Sequence, residues 1–217
     1  MSSKTYPTSD FERQLFAAGV NQLIAIDEVG RGAIAGPVAV GVTLTSPETY
    51  KTDWPAKLCD SKLMSEKQRE ETFGAVADWV DQWAVGMSSA EEIDKIGISK
   101  ALSLAAERAI EQLTFDVSTT RILLDGSHNW LGNRSYGVLV AVRPKADRDC
   151  VSVAAASVLA KVTRDRLMVD LAADFPGYGF EGHKGYASAT HIEAVRTLRP
   201  SAQHRVTWLD RILGIDS

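Results

Sequence analysis

Cysteine is scarce in this sequence. Only Cys59 and Cys150 occur among 217 residues, and they form no C-x-x-C pair or similar metal-ligand pattern. This scarcity excludes a small fold held together by disulfides, and it argues against a structural zinc site with cysteine ligands. We expect both residues to be buried free thiols in a reducing compartment.

Long apolar runs are also absent. The sequence has no stretch of eighteen consecutive apolar residues, so it predicts no membrane-spanning helix. Residues 1–16 mix charged with apolar residues and lack the apolar block of a signal peptide. We therefore predict a cytoplasmic protein without membrane association. Because no coiled-coil pattern or apolar interface stripe is evident, we also expect a monomer.

A basic net charge, the usual mark of a phosphate-binding protein, is missing as well. The chain carries 24 Lys and Arg against 28 Asp and Glu, a net charge of −4. Residues 1–130 hold 12 basic and 19 acidic residues (−7), whereas residues 131–217 hold 12 and 9 (+3). Since a bound cation would offset the charge of metal-binding acids, this balance neither indicates nor excludes a nucleic-acid partner.

The apolar pattern predicts strands first, followed by strands that alternate with helices. Predicted strands cover 22–29, 36–44, 83–87, 121–125 and 137–142. Predicted helices cover 65–79, 89–93, 99–113, 149–174 and 188–198. This order favours an α/β fold with a mixed β-sheet flanked by helices. We expect an N-terminal extension at 1–20, a core at 21–174, and a C-terminal loop and helical extension at 175–217 within the same domain.

Four acidic residues stand at strand ends or at a helix start. They are Asp27, Glu28, Asp125 and Asp147. Such positions are where an α/β sheet places a cluster of functional carboxylates. Burying carboxylates is costly unless a cation binds them, and oxygen ligands without His or Cys favour Mg²⁺ or Mn²⁺ over zinc. The sequence therefore predicts a divalent-metal site.

Each acid also has a purely structural interpretation. Asp125 is about as well explained as a turn former, and Asp147 or Asp149, taken alone, is better explained as a helix N-cap. Asp27 and Glu28 are harder to explain in this way, because two acids that end a central apolar run have no routine structural use. Neighbouring side chains of a strand should also point to opposite faces unless the strand bends.

Several segments match the motifs of one enzyme family in sequence and in order. They are IDEVGRG at 26–32, AGPV at 35–38, DSKLMS at 60–65, LDG at 124–126, AAASVLAKVTRDR at 154–166, YGF at 178–180 and HKGY at 183–186. This series closely resembles ribonuclease HII, and the resemblance extends from about residue 22 to residue 208. It implies a ribonuclease H-like mixed sheet with a helical C-terminal extension.

The resemblance also implies an activity. Ribonuclease HII is an endonuclease that cuts on the 5′ side of ribonucleotides in duplex DNA and in the RNA strand of RNA–DNA hybrids, leaving 5′-phosphate and 3′-hydroxyl ends. Its catalytic, metal-binding carboxylates match Asp27, Glu28, Asp125 and Asp147. Two Mg²⁺ or Mn²⁺ ions held by carboxylates can activate a water and stabilise the leaving oxygen.

Sugar recognition is implied by two further matches. The family's loop that recognises the 2′-hydroxyl matches Gly30, Arg31 and Gly32, whose glycines let the backbone approach a ribose closely. The family's ribonucleotide-sensing tyrosine matches Tyr186, which without the resemblance would be interpreted as a core aromatic. Candidate phosphate contacts are Arg31, Lys62, Lys161, Arg164 and Lys184, and for each of them a solvated charge is an equally good interpretation.

The sequence departs from the family pattern in three places. Residues 145–147 read Lys-Ala-Asp instead of Lys-Gly-Asp, and with Asp149 nearby the fourth carboxylate is open between Asp147, which we prefer, and Asp149. Gly97 stands where Asn is usual. Of the paired His or basic residues expected near the C-terminus, only His204 and Arg205 remain.

Other classes of protein fit less well. A non-catalytic nucleic-acid-binding module would be expected to have lost a carboxylate, and all four positions are acidic. Another ribonuclease H-like nuclease or a small-molecule phosphatase would not need the Gly-Arg-Gly loop or the Lys-Gly-Tyr segment. Ribonuclease HIII usually carries an extra N-terminal domain, for which the roughly twenty residues before the first predicted strand are too few.

Overall fold

A five-stranded mixed sheet forms the centre of the computed structural model, which describes residues 6–213. Its strands are β1 (Gln22–Val29), β2 (Val38–Thr45), β3 (Gln82–Ser88), β4 (Thr120–Asp125) and β5 (Leu139–Arg143). The spatial order is β3-β2-β1-β4-β5. The β2 strand pairs antiparallel with β1 and β3, whereas β4 runs parallel to β1 and β5. The predicted mixed sheet is confirmed.

Helices flank the sheet and form the C-terminal part. They are α1 (Asp10–Ala17), α2 (Glu66–Trp79), α3 (Ala90–Ile96), α4 (Ile98–Ile110), α5 (Ala146–Asp149), α6 (Val151–Asp174), α7 (Phe180–His183), α8 (Ala189–Leu198) and α9 (Asp210–Leu213). Short 3₁₀ helices lie at Thr49–Lys51, Ser61–Leu63, Gly132–Ser135 and Val206–Trp208. No helix in the described part of the chain is long and apolar enough to cross a membrane.

The start of α2 forms as predicted. The Ser65 hydroxyl accepts a hydrogen bond from the Gln68 amide, and the Gln68 side chain accepts one from the Ser65 amide. This reciprocal capping box satisfies two amides that the first turn of a helix leaves free. Because the Ser65–Gln68 pattern is local in sequence, it predicted the start of the helix without the structure.

The predicted helix at 149–174 is wrong at its beginning. The chain forms the short α5 first, and extended backbone at Cys150 separates α5 from α6. Thr8, from the N-terminal extension, bridges to Cys150, and its amide donates to the carbonyl oxygen of Asp149 at 3.0 Å. In a continuous helix the Asp149 carbonyl oxygen would accept an intrahelical hydrogen bond, but here it accepts one from Thr8. Because Thr8 is distant in sequence, the break could not be predicted from the local pattern.

Both faces of the sheet are covered by apolar, alanine-rich helices. On one face Ile24 and Ile26 pack with Leu102 of α4, and on the other Leu23 packs with Val153 of α6. A Cβ atom added at Gly41 of β2 would lie 2.4 Å from the carbonyl oxygen of Ala156, so this glycine lets α6 lie directly on the strand. The sheet and α6 therefore form a closely packed support for the edge where β1 and β4 end.

The C-terminal part packs onto the core through a separate apolar cluster. Phe180, Val195 and Leu209 contact Ala35 from the loop after β1 and Met168 from α6. This packing supports the prediction that the C-terminal extension belongs to the same domain. It also brings residues from beyond position 178 next to the loop that follows β1.

Candidate active site

Three of the predicted carboxylates meet at one edge of the sheet. Ile26 of β1 pairs with Leu124 of the parallel strand β4, so the residues that follow them, Asp27 and Asp125, lie side by side. One carboxylate oxygen from each of Asp27, Glu28 and Asp125 lies within 4.8 Å of the others. Although the side chains of neighbouring strand residues normally point to opposite faces, one oxygen each of Asp27 and Glu28 lie within this distance of each other, where β1 continues past the end of its pairing with β4.

Burial makes this cluster electrostatically unfavourable for the protein alone. Asp27 is 2% exposed, and burial, followed by repulsion from Glu28, raises its pKa well above the usual range. Its Oδ1 atom is buried and has no hydrogen-bond partner among residues 6–213. Burial also raises the pKa of Asp125, against the opposing effect of the Asp147 and Ala146 amides. An unpartnered carboxylate oxygen beside two further carboxylates fits a bound cation.

Asp147, rather than Asp149, adjoins this cluster. Its amide nitrogen lies 3.4 Å from Oδ1 of Asp125, and its side chain is largely buried. Burial, followed by repulsion from Asp125 and Asp60, raises the pKa of Asp147. Asp149 instead forms an ion pair with Arg143 at 3.1 Å, with both side chains substantially exposed. These positions support Asp147 as the fourth carboxylate.

Lys62 provides a positive charge beside the four acids. Its Nζ atom lies 3.5 Å from Oδ2 of Asp147 while its side chain remains 62% exposed. Burial of part of the side chain lowers the pKa of Lys62, but the attraction of Asp27 and Asp147 outweighs it and the pKa is raised. The ammonium group therefore stays charged at the rim of the cluster.

The loop after β1 contacts Tyr186. The amide of Gly30 donates a hydrogen bond of 3.2 Å to the Tyr186 hydroxyl. Gly30 has a φ of +79°, and an added Cβ atom would lie 2.2 Å from Nε of Arg164, so only glycine fits there. Tyr186 is 37% exposed, which contradicts the alternative that it is a core aromatic.

A cavity of about 440 Å³ joins the acids to this loop. Its lining residues are Glu28, Val29, Gly30, Arg31, Gly32, Ser61, Lys62, Lys161 and Tyr186. A carboxylate of the cluster, the Gly-Arg-Gly loop and the tyrosine thus face one space. The arrangement can hold a cation and a sugar ring next to each other.

Comparison with known proteins decides the family. The family model described as Ribonuclease HII matches residues 24–211. The chain belongs to the ribonuclease HII family. It is 42% identical over 203 residues to a ribonuclease HII of Streptomyces coelicolor, covering 93% of this chain and 83% of that protein. It is also 39% identical over 204 residues to the Caulobacter vibrioides ribonuclease HII, covering 93% and 90%.

Solved ribonuclease H structures share the fold. The ribonuclease H2 of Pyrococcus horikoshii OT3 superposes with a TM-score of 0.69 at 23% identity, covering 89% of this chain and 97% of that one. The Bst-RNase HIII structure in complex with Mn²⁺ gives 0.71 at 21% identity, covering 93% and 72%. The predicted ribonuclease H-like fold is confirmed. As a member of the ribonuclease HII family, the protein is a metal-dependent endoribonuclease and a hydrolase.

The basic residues predicted to contact phosphate fall into two groups. The side chains of Arg31 and Lys62 are 48% and 62% exposed at the cavity. Lys161 lines the cavity, but its Nζ atom contacts Asp165 at 2.7 Å. Lys184 is largely buried, and its Nζ atom contacts the Glu181 carbonyl oxygen and lies 3.3 Å from Glu66. Arg31 and Lys62 are therefore the better candidates for phosphate contacts.

The prediction of a phosphate contact for Arg164 is wrong. Its side chain is fully buried and donates hydrogen bonds to the carbonyl oxygens of Pro37, Lys184 and Ala35. Residue type alone does not tell a buried guanidinium from an exposed one. Arg164 instead holds the backbone beneath the loop that contains Gly30.

Sequence reasoning named three residues that support the site but assigned none of them a role. Asp60 is fully buried, accepts a hydrogen bond from the Lys62 amide at 2.9 Å and lies 3.5 Å from Arg148. Arg205 is also fully buried and donates to the carbonyl oxygens of Gly30 and Arg31. His204, its neighbour, is hydrogen-bonded to His191. Asp60 and the His-Arg pair stand in motif-like segments, but only the fold shows what they contact.

Proposed function

We propose that the chain hydrolyses the phosphodiester on the 5′ side of ribonucleotides embedded in duplex DNA, and the RNA strand of RNA–DNA hybrids, leaving 5′-phosphate and 3′-hydroxyl ends. The observation that carries the proposal is the shared cavity. Glu28 of the acid cluster is only two residues from Gly30, and both face the same space as Tyr186. A ribose bound by the loop would therefore have its phosphate at the carboxylates.

The acid cluster fits divalent cations with oxygen ligands. Its donors are carboxylates alone, and one buried oxygen of Asp27 lacks a partner in the described part of the chain. We propose that Asp27, Glu28, Asp125 and Asp147 hold two such ions, Mg²⁺ or Mn²⁺. When bound, these ions supply water activation on one side of the phosphodiester and stabilisation of the leaving oxygen on the other.

The loop offers hydrogen-bond donors for a sugar hydroxyl. Arg31 and Gly32 are exposed at the cavity, and within residues 6–213 their amides have no hydrogen-bond partner. The 2′-hydroxyl, which can both donate and accept, distinguishes RNA from DNA at a single position. We propose that these amides and the Tyr186 hydroxyl bind this group, so that deoxyribose leaves polar groups unsatisfied.

Cleavage of a labelled DNA duplex with one ribonucleotide tests the proposal. An all-DNA duplex of the same sequence, an RNA–DNA hybrid and a reaction with chelator serve as controls. We expect one metal-dependent nick 5′ to the ribonucleotide, cleavage of the hybrid, and no cleavage of the all-DNA duplex. Equal cleavage of the all-DNA duplex would contradict sugar recognition. No cleavage by folded protein with either Mg²⁺ or Mn²⁺ would favour a nucleic-acid-binding module.

A further inference from the structure

The dipeptide His204-Arg205 lies behind the proposed sugar site, which consists of the Gly-Arg-Gly loop at 30–32 and Tyr186. Its backbone pairs with the segment after the Gly-Arg-Gly loop: the Arg205 amide donates to the Ile34 carbonyl oxygen at 2.9 Å, and His204 bridges to Ala35. Both residues are buried, and neither lines the cavity. They are therefore placed to act on the sugar site without touching substrate.

Arg205 holds the loop from its carbonyl side. Its guanidinium donates to the carbonyl oxygens of Gly30 at 2.7 Å, Arg31 at 2.9 Å and Gly36 at 3.1 Å. Burial, followed by repulsion from Arg164, lowers the pKa of Arg205 to about 9. No carboxylate lies within ion-pair distance of it in the described structure, so the carbonyl oxygens of the loop, with weaker attraction from Tyr186 and Asp94, stabilise its charge.

His204 reaches Tyr186 through a second histidine. The Ser201 amide donates to Nδ1 of His204 at 3.0 Å, so the ring proton of His204 is on Nε2. This Nε2 lies 3.1 Å from Nε2 of His191, which must then accept. The proton of His191 is consequently on Nδ1, which donates to the Tyr186 carbonyl oxygen at 2.8 Å. Both tautomers are assigned from the hydrogen-bond network.

These contacts close into a ring. The Tyr186 hydroxyl accepts from the Gly30 amide, the Gly30 carbonyl oxygen accepts from Arg205, and Arg205 is covalently joined to His204. His204 and His191 then lead back to Tyr186. The two sugar-contacting elements are thus joined twice, once directly and once through buried side chains.

We propose that His204, Arg205 and His191 are positioning residues that fix the spacing between Tyr186 and the Gly-Arg-Gly loop, and so set the discrimination for a ribonucleotide. This inference rests on the proposed function, because it assumes that the Gly-Arg-Gly loop and Tyr186 recognise the sugar of the ribonucleotide. A small displacement of aligned groups is enough to cost a large factor in rate. A ring that is open at any one contact should therefore lose discrimination while the carboxylate cluster is unchanged.

Amide hydrogen exchange tests the ring independently of cleavage. We expect Arg205→Lys and His204→Phe to accelerate exchange of the Gly30 amide by about tenfold, with amides of α4 unchanged as a reference for global stability. His204→Gln keeps a donor for His191 and should exchange like the wild type. Arg196→Lys, on the exposed face of α8, is the matched arginine control. Unchanged Gly30 exchange in both Arg205→Lys and His204→Phe would overturn the proposal.

A double-mutant cycle tests whether the ring acts as a unit. Arg205→Lys and Tyr186→Phe should each lower kcat/KM on the single-ribonucleotide duplex by on the order of tenfold to a hundredfold. If both open the same ring, the double variant should be no worse than the worse single variant. Losses that multiply would show independent effects and contradict the inference. If His204→Phe does not fold, Arg205→Lys and His204→Gln still allow a variant that opens the ring to be compared with one that keeps it closed.

The outcomes separate this inference from the proposed function. Wild-type cleavage at the ribonucleotide, with variants that match it in rate and exchange, would overturn only the positioning ring. Absence of wild-type cleavage would overturn the proposed function, and the exchange measurement would still decide whether the ring holds the Gly30 amide.

Discussion

Asp125 shows at the level of one residue how burial can favour a bound cation. It ends β4 beside Asp27, and burial raises its pKa. A turn former would not need two further carboxylates within 4.8 Å. Its position therefore favours the metal-ligand interpretation over the structural one that the sequence left open.

We predict that Asp125→Asn lowers the cleavage rate by more than about 100-fold, because even changes around a metal ligand often cost 10–100-fold in activity. The fold should be intact, since the substitution keeps size and removes like-charge repulsion. Single-turnover cleavage and thermal unfolding check both points. Undiminished turnover would remove Asp125 from the metal site.

We predict that Tyr186→Ala weakens discrimination between embedded ribonucleotides and DNA more than it lowers stability. Tyr186 is 37% exposed, so the loss of its side chain removes little core packing. The substitution does remove the hydroxyl that accepts a hydrogen bond from the Gly30 amide. Cleavage of matched duplexes with ribose or deoxyribose at one position measures discrimination. A variant that mainly unfolds at lower temperature would show a structural role instead.

The neutral histidines predict a pH effect on stability. Burial lowers the pKa of His191 and His204 to about 4 from an ordinary 6.5. Because the folded state disfavours the proton, their contribution is complete above pH 6.5 and is lost as pH falls towards 4. Urea unfolding across this range should show a smaller loss for His204→Gln than for the wild type. Parallel curves would contradict the assignment.

Comparison of the predicted and observed helices and strands shows which parts of the fold could be predicted from the sequence. The α2 helix and the five strands follow local apolar periodicity and capping, and all were predicted close to their observed positions. The break between α5 and α6 was not, because it depends on Thr8, more than 140 positions away in sequence. Likewise, Asp27 and Asp125 were predicted to belong to one carboxylate cluster, but only the pairing of β1 with β4 shows that they lie side by side.

The α1 helix, which the sequence did not predict, is joined to α6 through one buried carboxylate. Glu12 accepts hydrogen bonds from the Ser152 amide at 3.0 Å and the Ser152 hydroxyl at 2.8 Å, and burial raises its pKa. We predict that Glu12→Ala lowers the free energy of unfolding by about 1–3 kcal/mol, because it leaves buried donors unpaired. Urea unfolding measures this. Glu12→Gln keeps an acceptor and should cost less; equal losses would contradict the explanation.

At the scale of the whole molecule, the position of the basic side chains is more informative than the net charge. The net charge is −4, yet the exposed side chains of Arg31 and Lys62 stand at the cavity next to the acids. Overall charge therefore gave no indication of the substrate, whereas the fold brings two exposed basic side chains to the cavity, where we propose that they contact phosphate. The net charge was uninformative because the acids of the cluster count against the basic residues in the sum.

Salt dependence of duplex binding checks this arrangement. We predict that Arg31→Ala reduces the slope of log affinity against log salt by about one, as expected for one lost phosphate contact. Lys51→Ala is the control, because Lys51 follows the end of β2 far from the cavity. Equal slopes for Arg31→Ala and Lys51→Ala would remove Arg31 from the phosphate contacts. Sedimentation in the same buffers checks the predicted monomer.

The two glycines of the sugar loop differ in what redesign they permit. A side chain at Gly30 would collide with Arg164, whereas one at Gly32 would meet nothing within 4 Å. Gly32 also has no left-handed backbone that would strain another residue. A side chain at Gly32 should therefore leave the loop folded and act only by limiting how closely a sugar can approach its backbone, whereas a side chain at Gly30 would displace Arg164 and the loop with it.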